Sequence, residues 1–200
     1  IKGDAVPKTL QDLLKPEFKG KIASTPYAAH FSELATPDLW GEQKTTNYVK
    51  ALAGQVTGLI GCGELQRVAT GEFPLLAIDC DSNVPRQMAS TGTPIGHVNA
   101  ADAPLYYPEY MAVPANSAHP NGAKLWINFV LSRDGQDLLY KETFGDNPLQ
   151  PGSKTASELA DLKAKNPNVV NANVAVFQKQ DNKHLNDITQ QYVKLLQGKA

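Results

Sequence analysis

Apolar and polar positions along the chain follow two patterns: helical stripes, and short apolar runs cut off by polar loops. The clearest stripe lies in residues 111–139, MAVPANSAHPNGAKLWINFVLSRDGQDLL. An apolar stretch at 111–113 is expected to be a short strand, and the turn after it ends at Asn121-Gly122, where a helix opens. Ala123, Trp126, Ile127, Val130 and Leu131 then fall on one face, a stripe that must bury against a neighbouring element. Ser132 restarts the chain as the cap of a second helix, with Asp134 in the first turn near the positive end of the dipole.

The amino-terminal half repeats the other pattern. An extended lead over 1–20 carries a short helix through Leu10, Leu13 and Leu14, stopped by Pro16, and passes into a buried strand at 18–23. Helix 47–53 presents Tyr48, Val49 and Leu52 and ends at Gly54. Strand 56–60, the Gly61-Cys62-Gly63 turn, helix 64–69, the apolar run 73–78, helix 84–89 and strand 94–98 follow in order. An apolar run such as 73–78 suits a strand covered on both faces. This alternation predicts an α/β lobe over 20–98, with a mostly parallel sheet and helices on both faces.

The remainder is less regular. Residues 99–108 form an irregular connection containing Asp102, Tyr106 and Tyr107, and 144–153 is a Pro- and Gly-rich crossing. Residues 159–168 begin as a helix, and 169–177 is an apolar strand or extended packing segment. The chain closes on an amphipathic helix with Leu185, Ile188, Tyr192, Leu195 and Leu196 on one face.

Charge narrows the function classes. Nineteen basic against twenty acidic residues, interspersed, give a net charge of −1 and no electrostatic footprint for nucleic acid or an anionic membrane. No apolar run approaches the roughly 18 residues of a membrane span. The start at Ile1, with neither methionine nor signal peptide, fits a processed or excised chain. There is no nucleophile elbow, phosphate-binding glycine loop or zinc spacing.

Two polar loops carry the candidate chemistry. Residues 24–40 follow the first strand and hold Tyr27, His30, Phe31, Ser32 and Glu33; Asp79-Cys80-Asp81-Ser82-Asn83 follows the run 73–78 and heads into a helix. Ligands of open α/β sheets bind outside the carboxyl ends of strands, which is where both loops leave. Carboxylates there suit a cationic or hydroxyl-rich solute; the alternative for Asp81 or Ser82 is to cap the next helix. Cys62 and Cys80 both sit where a predicted strand enters a loop, so a doubly wound sheet brings them to one edge, within the Cα separation of roughly 4.4–6.8 Å a disulfide requires. The alternative is a catalytic Cys62 at a helix start, with His30 or His97 near it.

Three segments, VPKTLQDLLKPEFKGKIA at 6–23, HPNGA at 119–123 and LSRDGQ at 131–136, resemble periplasmic solute-binding proteins that feed ABC transporters. The branch is the type II one, with ferric-, thiamine-, polyamine- and phosphonate-binding members. The resemblance implies a type II periplasmic-binding-protein-like α/β lobe plus a remnant of the other lobe: residues 1–100 and 152–200 as the second lobe, 101–151 as hinge and first-lobe remnant, with the amino-terminal part of the first lobe missing. It implies a periplasmic or extracellular receptor, not an enzyme, that closes on a small molecule or ion and delivers it to a membrane permease without a cofactor. An exported chain also permits the Cys62–Cys80 disulfide. Ferric-binding members carry an adjacent tyrosine pair where this chain has Asp79 to Asn83, and the downstream Tyr106-Tyr107 pair takes no metal role, so no metal ligands are assigned. The expected ligand-binding residues are Tyr27, His30, Ser32, Asp79, Cys80, Asp81, Asn83 and Tyr106. The alternative function is a small α/β enzyme, a hydrolase or thiol-dependent, using Cys62 or the Asp79/Asp81 pair.

Overall fold

Strand β1 (Ile22–Ser24) is buried at every residue, because it is the middle strand of a parallel sheet flanked by helices. The protein is described by a computed structural model covering residues 1–171 and 181–198. Strands β2 (Val56–Leu59) and β3 (Leu75–Leu76) pair parallel on either side of β1 in the order β2-β1-β3, with Ile22 opposite both Val56 and Leu75. The parallel α/β lobe expected from the alternation is therefore present. The apolar run 73–78 yields only two paired residues: Pro74 has no N–H to donate, and Ile78 leaves the ladder at a positive φ of 58°. Phe73 instead lays its ring over Gly58, where any side chain would collide with it.

Helices α1 (Phe31–Leu34) and α2 (Glu42–Ala53) join β1 to β2, α3 (Gln66–Ala69) joins β2 to β3, and α4 (Asn83–Ser90) follows β3. Thr45, Tyr48, Val49 and Leu52 form the buried face of α2, the helical spacing of one stripe. The terminal helix, here α8 (Asn182–Leu196), buries Ile188, Tyr192 and Leu196 in the same core, with Leu195 packed at its margin. Phe31 is the hub: fully buried, its ring centroid lies 6.4 Å from those of both Tyr48 and Tyr192.

The lead folds as three short 3₁₀ turns, Gly3–Ala5, Gln11–Leu14 and Pro16–Phe18. Two of its backbone donors are satisfied from far along the chain, the Asp102 carboxylate accepting from Leu10 N at 2.8 Å and Gln11 N at 3.1 Å, while the Asp102 carbonyl accepts from Trp40 Nε1, beyond the lead, at 2.6 Å. Two expected strands are absent. Residues 94–98 are unpaired and largely exposed, and Pro94 and Gly96 both oppose strand structure. Residues 111–113 likewise form no ladder, and Met111 is exposed. In the connection read as irregular, β4 (Leu105–Tyr106) pairs parallel with β5 (Val170–Asn171). The rest of the 169–177 segment, from 172 on, lies outside the described residues.

The chain divides into two units, residues 1–106 with the described residues from Val169 onward, and Tyr107–Asn168. The second holds α5 (Pro120–Val130), α6 (Arg133–Thr143) and α7 (Lys154–Lys165). Helix α5 begins one residue before Asn121, with Pro120 in the first turn, where its missing N–H costs nothing. Ser132 caps α6 as expected, its Oγ accepting from Gly135 N at 3.1 Å. Asp146 caps α7 across the Pro- and Gly-rich crossing, accepting from Lys154 N at 2.9 Å and Thr155 N at 2.8 Å. Of the α5 stripe only Val130 is buried; Trp126 is 61% exposed, beside Leu125 at 70%. Across the tight α5–α6 junction, a Cβ at Gly135 would run into the Phe129 carbonyl oxygen. Gly135→Ala should therefore cost about 1–3 kcal/mol, the usual price of overpacking. Urea unfolding followed by circular dichroism reads this loss; an unchanged midpoint would show that the junction relaxes freely.

Candidate functional site

Because the three strands of the first unit run parallel, the loops after β1, β2 and β3 leave the same edge of the sheet. The first loop turns sharply. Thr25 Oγ1 accepts from Ala29 N at 2.8 Å, and Ala28 and His30 hold positive φ values of 53° and 59°. Such values are uncommon without glycine and mark a loop whose shape is imposed by its contacts.

Those contacts come from the other two loops. The Tyr27 hydroxyl accepts from Cys62 N at 2.7 Å and lies against the sulfurs of Cys62 and Cys80, 3.5 Å from the latter. Cys62 and Cys80 are joined by a disulfide, with Cα atoms 5.7 Å apart. His30 Nε2 is 3.1 Å from the Cys80 carbonyl oxygen, which only accepts, so this nitrogen carries a proton. His30 Nδ1 faces Glu33 Oε1 at 3.5 Å, and Ser32 Oγ donates to Glu33 Oε2 at 2.9 Å.

Electrostatics follow from this packing. The Glu33 carboxylate raises the His30 pKa above the ordinary imidazole value, outweighing the opposing effect of burial. Burial pushes the Glu33 carboxyl up, but the hydrogen bond and charge of His30, with help from Ser32, bring it below the usual range. Burial pushes Asp79 up to about 6, and the neighbouring Asp81 charge adds to this against the bond from Cys80 N at 2.7 Å. Asp81 takes up the alternative weighed for it: its Oδ1 accepts from Asn83 N at 2.7 Å at the start of α4, while Ser82 makes no side-chain cap bond.

Of the residues expected to meet a ligand, the structure brings Tyr27, His30 and Cys80 into contact, with Ser32 and Asp79 beside them and Asp81 and Asn83 at the mouth of α4. Tyr106 belongs to the separate β4–β5 sheet. Glu33 is the member whose role the sequence reading did not specify; its signal is the three-residue spacing from His30 at a helix start. A groove of about 440 Å³ between α2 and α8, lined by Lys50, Asp187, Gln191 and Lys194 among others, contains none of these residues.

A family model for bacterial extracellular solute-binding proteins matches residues 1–176. The chain belongs to that family. Among curated relatives of this solute-binding protein, the Fe(3+)-binding periplasmic protein of Serratia marcescens is 26% identical over 177 residues, covering 79% of this chain and 49% of its own. The spermidine/putrescine-binding periplasmic protein of Escherichia coli K12 is 28% identical over 186 residues, covering 78% of this chain and 53% of its own. The chain thus spans about half the length of the curated relatives it matches. In fold it is similar to the substrate-binding protein of an ABC transporter from Agrobacterium tumefaciens, with a TM-score of 0.73 at 18% identity over 100% of this chain and 62% of that one. It is also similar to the periplasmic binding protein AfuA of Actinobacillus pleuropneumoniae, with a TM-score of 0.53 at 20% identity over 98% and 59%.

Proposed function

We propose that this solute-binding protein is the substrate-binding component of an ABC importer that captures a small cationic solute and hands it to a membrane permease. The observation that carries the reading is the convergence, in a chain of this family, of the strand-end segments at one sheet edge, the one after β1 bearing His30 and Glu33 and the one after β3 bearing Asp79 and Asp81. These loops serve as one wall of the ligand cleft. In this reading residues 1–100 and 152–200 make up the second lobe, and residues 101–151, Tyr106 among them, the hinge and the remnant of the first. The working location is the periplasm or the extracellular face of the membrane; no helix among the described residues is long and apolar enough to cross a membrane.

The protein is not an enzyme in this reading. Bonded to each other, the two sulfurs are not thiolate nucleophiles, which leaves a thiol-dependent reaction without its attacking group. Of the ligands in the relatives' names, a polyamine suits this loop better than ferric ion, since carboxylates rather than a tyrosine pair occupy 79–83.

Thermal denaturation with increasing spermidine, putrescine or ferric citrate tests the proposal. A ligand that binds only the native state stabilises it by RT ln(1 + [L]/Kd), about 2.7 kcal/mol at one hundred times Kd. A saturable rise in Tm with an amine, without chemical change of the amine, is the expected result. Stabilisation by ferric citrate alone would overturn the cationic-amine assignment, and turnover of the amine would overturn the receptor reading.

A further inference from the structure

We infer that Tyr27 and the Cys62–Cys80 disulfide form one clamp that positions the ligand-contacting loops, a covalent link serving the site more than the fold. The inference rests on the reading of this sheet edge as the ligand site. Among the described residues, strands β2 and β3 do not pair with each other; each pairs with β1, which stands between them. The disulfide joins the loops that follow the two outer strands. Tyr27, from the loop of β1, supplies the third point. The residue is 44% exposed, yet its hydroxyl is taken up by Cys62 N and the two sulfurs, so it ties the middle loop to both flanking ones.

The clamp also reaches the charged groups. His30 hangs from the carbonyl oxygen of Cys80, and Asp79 accepts from the amide of Cys80. A shift of Cys80 therefore moves the imidazole and the carboxyl together. Ala28, His30 and Ile78, all at positive φ, flank these points, where the backbone relaxes if its contacts are released. Neither cysteine belongs to the hydrophobic core, in which Phe31, Tyr48, Leu52 and Tyr192 pack. Tyr27 is on this account a positioning residue rather than a ligand contact.

Amide hydrogen exchange of Cys62→Ser/Cys80→Ser and of Tyr27→Phe, beside the unaltered protein, tests the clamp without any ligand. In the double variant, amides of the three loops should exchange about tenfold faster or more, while those of Ile22 to Ser24 keep their protection. Tyr27→Phe, which deletes only the hydroxyl, should accelerate Cys62 N–H by about tenfold and leave Tm unchanged. Unchanged loop protection would overturn the clamp. So would loss of protection in β1 in step with the loops, since the disulfide would then be an ordinary staple of the fold. Spermidine titration of the same proteins separates the two claims: weaker binding in the double variant completes the inference. Loosened loops with no spermidine binding by the unaltered protein leave the clamp standing and remove the polyamine reading.

Discussion

Asp79→Asn is expected to give a protein that is more stable at neutral pH and binds its solute more weakly. Burial has raised the Asp79 carboxyl to about 6, so the native state holds that proton more tightly than the unfolded chain, where the value is 3.8. A raised carboxyl is a cost above its folded pKa, and the cost is relieved as pH falls from about 6 toward 4. Asparagine keeps the oxygen that accepts from Cys80 N and removes the charge. The gain should amount to about 2–4 °C in Tm at pH 8 and vanish near pH 4. Affinity for a cation should fall by about one to two decades, the value of a charge-assisted hydrogen bond. Melting and titration at both pH values check this; a variant that melts lower at pH 8, or binds as well as the parent, would show that Asp79 is structural. His30 acts over a higher window. Its pKa is raised by Glu33, so its stabilisation is complete below the unfolded value near 6.5 and is lost as pH rises through the folded one.

Phe31→Ala is expected to be the most destabilising single change, at about 3–5 kcal/mol. The side chain is fully buried with Tyr48 and Tyr192 on either side, so it joins α2 and α8 to the turn that carries the site. Phe31→Leu, which keeps most of the volume, should lose less than about 1.5 kcal/mol. Equilibrium urea unfolding distinguishes them. An alanine variant within about 1 kcal/mol of the parent would show that the hub collapses around the missing ring. Because Phe31 directly follows His30, this substitution should also disturb binding, through the backbone and not through lost contacts.

Much of this arrangement was legible in the sequence, where local pattern and burial agree. The apolar runs around Ile22, Val56 and Leu75 mark the parallel strands, and Tyr48, Val49 and Leu52 mark the buried face of α2. Two cysteines at the ends of parallel strands are readable as close enough to bond, which left a catalytic Cys62 open as the alternative, and the structure joins them. What escaped was set by contacts between distant parts of the chain. No local signal announces that Asp102 will cap the lead at Leu10, or that two residues at Leu105 will pair with two at Val170. The turns at His30 and Ile78 adopt positive φ without a glycine to mark them. Asp81 was ambiguous because one carboxylate at a strand end can serve a ligand or a helix start, and in this structure it accepts from Asn83 N. The α5 stripe was readable as amphipathic, but periodicity reports a face and not its partner, and Trp126 stands largely exposed.

The account is tested most directly by native mass spectrometry of the protein purified without denaturation, beside Asp79→Asn purified in the same way. A species heavier than the polypeptide by one small cationic molecule is expected, depleted in the variant. A bare polypeptide mass for both, together with no rise in Tm from any amine offered, would contradict it.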